Sequence, residues 1–312
     1  MLVDAHVHGV PFRIHEEFKR IGLAAIFDHC PRNEMQESID NLLADMEKAD
    51  VSSSIVITSC TLDLFDEYAK KYPKKLFVGF LFDSRNPKEG LRAVRRAVEK
   101  YPHLIKCVKT MFPYLGQHPL MKEFLPLYGY CEQAGLPVQF HIGGDQNMEQ
   151  ISNPLYFAKL ASLHPTLSIV CLHAGGGMVE KIPLLMELWP NIFLEVEGLQ
   201  LNEAEGSREP QVLRFLLEHV DSSRLMFGSD RIFPEEKYFW RVQAVRSLAP
   251  EHADNLSWKT ANRVFDLGLD RKRKLGAAKR EAKTAKKTSK AGAHSRSQPV
   301  KTKQKKKGKG VG

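Results

Sequence analysis

The sequence of 312 residues lacks long apolar runs and glycine-rich phosphate-binding motifs. No run of about 18 consecutive apolar residues occurs, so we expect no transmembrane helix and no membrane partner. No basic and apolar leader precedes the first strand pattern, which begins almost at Met1, so a signal peptide is not expected. Neither a G-x-G-x-x-G after a strand nor a P-loop is present, which argues against a nucleotide-binding fold.

Cysteine is also scarce. The chain has five cysteines, an odd number, and no C-x-x-C spacing. Scattered cysteines of this kind are typical of reduced thiols rather than of a disulfide framework, so we expect a cytoplasmic protein. The five are Cys30, Cys60, Cys107, Cys131 and Cys171.

The net charge of +9 divides into a basic tail and a mildly acidic body. Residues 271–312 carry 17 lysines and arginines against Glu281 alone, a charge of +16, and the other 270 residues carry 29 basic and 36 acidic side chains, a charge of −7. The tail has no aromatic and almost no large aliphatic residue, so we predict that it is disordered. A solubilising extension without a specific partner is the favoured interpretation, and non-specific contact with nucleic acid or another polyanion is the alternative.

Short β-rich runs alternate with helical patterns through residues 1–270. Most of these runs are continuously apolar, as expected when both faces of a parallel sheet are buried. Eight strands that are each followed by a helix favour an α/β fold of the (β/α)₈ TIM-barrel class over an open doubly wound sheet. We therefore predict a barrel domain at 1–270 and a separate tail at 271–312. The predicted strands are 2–8, 53–58, 76–82, 105–110, 137–143, 168–174, 192–198 and 225–230.

One helical pattern illustrates the helix prediction. Residues 33–50 carry apolar side chains at helical spacing, including Met35, Ile39 and Met46. Asn33 and Gln36 are spaced as a capping box, which predicts that Asn33 is the N-cap.

The opening stretch MLVDAHVHGV carries polar residues where a buried strand would be aliphatic. Side chains alternate along a strand, so Asp4, His6 and His8 share one face. Two imidazoles and a carboxylate on one face form a candidate metal site, and a polar exposed strand face is the alternative.

Other polar residues fall at the carboxyl ends of the predicted strands. Active sites of TIM barrels lie at that face, where the ends of several strands meet. Four histidines and an aspartate therefore converge on one mouth of the barrel. The polar residues at these ends are His6, His8, Lys109, His141, His173, Glu195, Glu197 and Asp230.

Five sequence segments together resemble the amidohydrolase superfamily: DAHVHG, VQFHIGG, IVCLHAGGG, FGSDRIFP and TANRVFDLGLD. They are most similar to its amidohydrolase-related branch, which includes aminocarboxymuconate-semialdehyde decarboxylase and its relatives. The resemblance covers nearly all of residues 1–270 in the right order. It implies one divalent metal ion, usually Zn²⁺, bound by His6, His8, His141 and Asp230, with His173 assisting the water or the substrate.

The implied chemistry assigns further roles. Zinc accepts imidazole and carboxylate ligands and lowers the pKa of a bound water toward about 7. Asp230 can then serve as general base, and His173 can hydrogen-bond the developing oxyanion. Asp4 is expected to orient a ligand histidine.

Four other residues have less defined expected roles. Lys109 is either a carboxylated lysine that bridges two metal ions or an ammonium that faces substrate or forms a salt bridge. Glu197, like Glu195, contacts substrate or pairs with Lys109 or Arg231. Arg13 and Arg231 are candidates to hold a substrate carboxylate.

The family fold supports several functions, so the sequence leaves alternatives open. The main hypothesis is hydrolysis of an amide, ester or lactone bond in a small acidic or aromatic molecule, and the second is non-oxidative decarboxylation on the same metal. A TatD-type DNase is a third, but such enzymes carry a strand-4 glutamate where this chain has Lys106 and Lys109. A non-catalytic interaction protein with idle histidines is a fourth. The oligomeric state is left open, a homo-oligomer included.

Overall fold

Eight parallel strands form one sheet, in the order β1 to β8. The structure, a computed structural model, describes residues 1–9, 30–142, 153–196, 209–231, 236–248 and 250–269. The strands are β1 Val3–His8, β2 Ser53–Thr58, β3 Leu76–Leu81, β4 Ile105–Thr110, β5 Val138–Phe140, β6 Ile169–Cys171, β7 Ile192–Val196 and β8 Leu225–Phe227. All eight predicted strands are confirmed in order, with shorter bounds for β5, β6 and β8.

Helices follow the strands along the chain. The α-helices are α1 Arg32–Lys48, α2 Leu62–Lys71, α3 Pro87–Lys100, α4 Leu125–Gln133, α5 Leu155–Leu163, α6 Ile182–Leu188, α7 Glu209–His219, α8 Glu236–Arg246, α9 Pro250–Asp254 and α10 Thr260–Val264. Four 3₁₀ segments and one π turn complete the described part: Phe112–Leu115, Lys122–Phe124, His173–Lys181, Ser222–Arg224 and Asn255–Lys259.

The first and last strands meet and nearly close the barrel. A parallel bridge pairs Val7 with Arg231, just beyond β8. The His8 amide donates to the Arg231 carbonyl at 2.8 Å, and the Asp230 amide donates to the His6 carbonyl at 2.8 Å. The predicted TIM-barrel fold is therefore confirmed, and the closure also brings the segment after β8 against the histidine strand.

The burial of apolar side chains accounts for the positions of the strands and helices. Every residue of β2 and β3 is buried, because the barrel interior covers one face and the helices cover the other. On α1 the buried residues Met35, Ile39, Leu42 and Met46 repeat every three or four positions and face the barrel.

The predicted capping box at the start of α1 is wrong. The helix begins at Arg32, and Pro31 is its N-cap, without a side-chain hydrogen bond. Instead the Pro31 carbonyl accepts from the Met35 amide at 3.0 Å. Because the helix begins earlier than predicted, Asn33 lies inside the first turn and cannot cap it.

The barrel lies in a compact unit, Met1–Leu267. Among the residues that the structure describes, no helix is both long and apolar enough to cross a bilayer. Residues 271–312 lie outside the described part, so the predicted disorder of the tail and the boundary at residue 270 stay predictions.

Candidate metal centre at the carboxyl ends of the strands

Three predicted ligands meet at the end of β1. His6 Nε2 lies 3.2 Å from Asp230 Oδ1, and His8 Nε2 lies 2.9 Å from the same oxygen. The His6 side chain is fully buried, and those of His8 and Asp230 are 11% and 21% exposed, so the cluster is only partly open to solvent. One atom from each residue lies within 4.8 Å of the others, which is close enough to surround one metal ion.

Asp230 reaches this position through an unusual backbone conformation. The strand β8 ends at Phe227, and Asp230 has a φ of +49°, in the left-handed region. Aspartate is among the few residues that visit this region readily. The turn points the carboxylate back over the barrel mouth toward His6 and His8.

The pKa directions of His6 and Asp230 suit a divalent cation. Burial, followed by the charge of Lys109, holds the pKa of His6 well below its usual range. Burial would raise the pKa of Asp230, but His6 and then His8 oppose it and hold that pKa well below its usual range. Neutral imidazoles and an ionised carboxylate are the forms that bind a metal ion.

Asp230 Oδ1 shows whether the residues of this site fit a metal ion. This oxygen is buried and accepts no hydrogen bond from any residue in the described ranges, although two imidazole nitrogens lie beside it. Leaving a buried carboxylate oxygen unsatisfied is costly. A cation among these three side chains would satisfy it, so the residues present fit a metal ion.

His141 and His173 form a pair beside this cluster. His173 Nε2 lies 2.8 Å from His141 Nδ1, and the two ring centroids are 4.4 Å apart. Burial, followed by the charge of His173, holds the pKa of His141 well below its usual range. His141 Nε2 is buried and has no hydrogen-bond partner within the described residues. The structure does not gather His141 into the His6–His8–Asp230 cluster, so its role as a ligand stays a prediction.

Glu195 is a residue of the site that our ligand prediction left out. It lies on β7 with a fully buried side chain, and it forms a second group of potential ligands with His6 and His173. The sequence signal was its place in LEVEG, where a charged residue interrupts a strand that should be apolar. The neighbouring Glu197, which we did predict, lies outside the described residues.

Asp4 contacts Ser229 and the His6 amide rather than an imidazole ring. Its carboxylate accepts from Ser229 Oγ at 2.6 Å, from the Ser229 amide at 2.9 Å and from the His6 amide at 3.2 Å. Burial raises the pKa of Asp4 to about 6, although the Ser229 hydrogen bonds oppose the shift. Asp4 therefore joins β1 to the G-S-D segment, and its expected role in orienting a ligand histidine stays a prediction.

The predicted basic residues occupy different places. Lys109 is fully buried, and its Nζ lies 3.4 Å from His6 Nε2, beside the metal cluster. Arg231 is also buried, but its Nε donates to Asp45 Oδ2 at 3.1 Å, so its guanidinium packs behind the site. Arg13 lies outside the described residues.

Comparisons with known proteins show the family of this chain. The sequence model of the amidohydrolase family matches residues 3–267. The chain belongs to the amidohydrolase family. Enzymes of this family are generally metal-dependent, and the resemblance noted in the sequence is thereby confirmed.

One curated relative is similar to this amidohydrolase along slightly less than half of the chain. Protein fluG of Emericella nidulans is 31% identical over 158 residues, which are 48% of this chain and 18% of fluG. The chain thus matches less than a fifth of that protein's length.

Solved structures share the fold at low sequence identity. The 4-oxalomesaconate hydratase of Rhodopseudomonas palustris has a TM-score of 0.64 and 16% identity, over 88% of this chain and 100% of that one. The 5-carboxyvanillate decarboxylase of Sphingomonas paucimobilis has a TM-score of 0.61 and 16% identity, over 85% and 98%. A dihydroxybenzoic acid decarboxylase from Polaromonas sp. JS666, solved with bound manganese, has a TM-score of 0.60 and 11% identity, over 86% and 97%. The barrel is thus shared by a hydratase and by decarboxylases.

Proposed function

We propose that this amidohydrolase is a metal-dependent hydrolase that cleaves an amide, ester or lactone bond of a small acidic or aromatic molecule. The observation that carries the proposal is the buried Asp230 Oδ1 between the Nε2 atoms of His6 and His8. An ionised carboxylate beside two imidazoles, with His8 and Asp230 partly exposed, is an arrangement suited to a catalytic rather than a closed structural metal site.

Each residue of the site has a proposed role. His6, His8 and Asp230 would hold one divalent ion, most simply Zn²⁺, with His141 as a further ligand. The ion would lower the pKa of a water molecule toward about 7 and polarise the bond to be cleaved. The second oxygen of Asp230 would accept the proton of that water, and His173 would donate a hydrogen bond to the developing oxyanion.

Non-oxidative decarboxylation is the second candidate. The observation that favours it is the buried Lys109 ammonium, 3.4 Å from His6 Nε2, which would pair with a carboxylate bound beside the metal. The two decarboxylases that share the fold act on aromatic carboxylates, as their names state. A carboxylated Lys109 that bridges two ions is the other role for this residue. A TatD-type nuclease is not proposed, because Lys109 stands on the strand where those enzymes carry a glutamate.

Elemental analysis of the purified protein tests the metal centre. We expect about one equivalent of divalent metal per chain, and its loss in His6→Ala and Asp230→Ala. Asp63→Asn is the matched control, since Asp63 pairs with Arg32 on the surface and is 63% exposed. Two equivalents in the wild type would contradict the mononuclear site, and a metal-free wild type would contradict the proposed function.

A substrate screen separates the two reactions. The protein is incubated with lactones, esters and amides in one set and with hydroxylated aromatic carboxylic acids in the other. Hydrolysis forms a new carboxylate without CO₂, whereas decarboxylation releases CO₂ and puts a proton from water in place of the carboxylate. Release of CO₂ alone would replace the hydrolase proposal by the decarboxylase.

The setting of the enzyme is also a proposal. Cys107, Cys131 and Cys171 are buried free thiols, which supports a reducing compartment such as the cytoplasm. The basic tail would contact nucleic acid through its charge alone. Size-exclusion chromatography with light scattering would determine whether the protein forms a homo-oligomer.

A further inference from the structure

Glu195 is placed between two histidines of the site but has no assigned role. Its side chain is fully buried on β7, where an ionised carboxylate is costly unless other groups compensate it. We propose that Glu195 is a positioning residue that orients His6 and His173 toward the metal centre; this inference rests on the proposed function.

The first contact is with the main chain of His173. The His173 amide donates to Glu195 Oε2 at 3.0 Å. His173 and Ala174 have φ values of +59° and +52°, a left-handed conformation that is strained for residues other than glycine. The hydrogen bond to Glu195 helps to hold this turn, which places the His173 ring against His141.

The second contact is with the His6 ring. His6 Nδ1 lies 3.9 Å from Glu195 Oε2, while Nε2 on the opposite side of the ring faces Asp230. Within the described residues, His6 Nδ1 has no hydrogen bond. A carboxylate on this side favours the tautomer with its proton on Nδ1, which leaves the Nε2 lone pair for the metal. Metal-binding histidines commonly direct their second nitrogen at a carboxylate in this way.

The third contact is with Gly228, which begins the G-S-D segment. A Cβ atom at this position would lie 2.2 Å from Glu195 Oε1 and 2.8 Å from both Cδ and Cγ. Glycine is therefore required for the carboxylate to fit beside the chain that leads to Asp230. Glu195 thus contacts the ends of β1, β6 and β8, which carry three residues of the site.

Metal affinity and the tautomer of His6 together test the proposal. Zn²⁺ affinity is measured by competition with a chromophoric chelator, and Co²⁺ absorption reports the ligand geometry. We expect Glu195→Gln to weaken Zn²⁺ binding about 10- to 100-fold and to change the Co²⁺ spectrum, while the protein stays folded by circular dichroism. Glu187→Gln, at an exposed position of α6, is the matched control and should change neither.

The tautomer is read in the metal-free protein by ¹⁵N NMR of the histidine rings, with His6 assigned from His6→Gln. We expect His6 to be protonated at Nδ1 in the wild type and to lose this preference in Glu195→Gln. A purely structural role would lower the melting temperature but leave the tautomer and the affinity of the folded protein unchanged. That result would overturn the proposal.

Two further outcomes remain decisive. If the wild type binds no metal, the proposed function fails, but the tautomer measurement still decides the role of Glu195. If Glu195→Gln does not fold, Glu195→Asp and Gly228→Ala replace it. The first keeps the charge but withdraws the carboxylate by one methylene, and the second displaces the carboxylate from the β8 side. Both should weaken Zn²⁺ binding, and wild-type affinity in both would contradict the proposal.

Discussion

His173 combines a strained backbone with a ring at the centre of the histidine cluster. Its φ of +59° persists because the surrounding contacts hold it: the amide bonds Glu195, and the ring meets His141. Strain of this kind concentrates at functional sites. The ring centroid lies 5.4 Å from that of His6, so His173 would be close to a substrate bound at the proposed metal site.

The first prediction separates metal binding from catalysis at His173. Asparagine tolerates the left-handed conformation, so His173→Asn should keep the turn and remove only the ring. We expect the variant to retain its metal and to lose about 10²- to 10⁴-fold in kcat, the usual contribution of a proton donor. Metal content and turnover are measured on the same sample, with His219→Asn on exposed α7 as control. Loss of metal together with activity would show that His173 is a ligand.

At the scale of secondary-structure elements, the barrel interior limits side-chain size. Gly79 on β3 faces neighbours from both adjacent strands. A Cβ there would lie 2.6 Å from Ile57 Cδ1 and 2.9 Å from Cys107 Sγ. The close packing of β2, β3 and β4 therefore leaves no room for a methyl group at this position.

The second prediction compares two glycines. Gly79→Ala should lower the free energy of unfolding by about 1–3 kcal/mol, because the buried strands must move apart. Gly129→Ala should raise it by about 0.5–1 kcal/mol, because Gly129 lies within α4 with no atom within 4 Å of the added Cβ. Urea unfolding measures both, and equal effects would contradict the packing argument.

Glu132, near the end of α4, connects that helix to the turn before β6. Its carboxylate contacts His164 Nδ1 at 2.8 Å and accepts from Thr166 N at 3.0 Å and from Thr166 Oγ1 at 2.9 Å. Burial would raise the pKa of Glu132, but the hydrogen bonds from His164 and Thr166 outweigh it and lower the pKa from 4.5. The ionised form is therefore favoured in the folded protein.

The third prediction follows from the lowered pKa of Glu132. A depressed pKa means that Glu132 stabilises the fold above about pH 4.5, and that this contribution is lost as the pH falls through the folded-state pKa. Glu132→Gln should therefore cost about 1 kcal/mol at pH 7, a value reduced by partial solvent exposure. The difference from wild type should shrink at low pH. Urea unfolding at pH 7 and pH 3.5 checks it, with exposed Glu37→Gln as control; a pH-independent difference would contradict the charge-based explanation.

At the scale of the whole molecule, charge divides between the barrel and the tail. Residues 271–312 carry +16 and the preceding residues carry −7. The family match ends at residue 267, before the basic region begins. We therefore expect that the tail can be removed without loss of the chemistry of the barrel.

The fourth prediction is that the truncated chain 1–270 folds, keeps its metal and keeps its activity. Any affinity of the full chain for DNA or RNA should be lost with the tail and should fall steeply with salt, because phosphate contacts release counterions. Thermal unfolding, elemental analysis and fluorescence anisotropy with a labelled oligonucleotide measure these properties. An insoluble or metal-free truncated protein would show that the tail is part of the fold.

The sequence by itself determined the barrel and the position of its mouth. Eight apolar runs that alternate with amphipathic patterns favour a parallel α/β barrel, because parallel strands need crossover helices and bury both faces. It also singled out His6, His8 and Asp230 as candidate ligands, because polar side chains at the ends of buried strands are unusual; that they bind a metal stays a prediction. The predicted carboxyl ends of β5, β6 and β8 were less accurate, because each of these strands ends before the predicted bound.

Only the tertiary structure decided which polar side chains meet. The closure of β8 onto β1 puts Asp230 against two imidazoles, and it turns Arg231 away toward Asp45. It also places Glu195 between His6 and His173. Glu195 and His6 lie more than 180 positions apart in the sequence. Sequence patterns report which face of a strand a residue occupies, but distances between strands depend on barrel closure and on left-handed turns that local propensity does not predict.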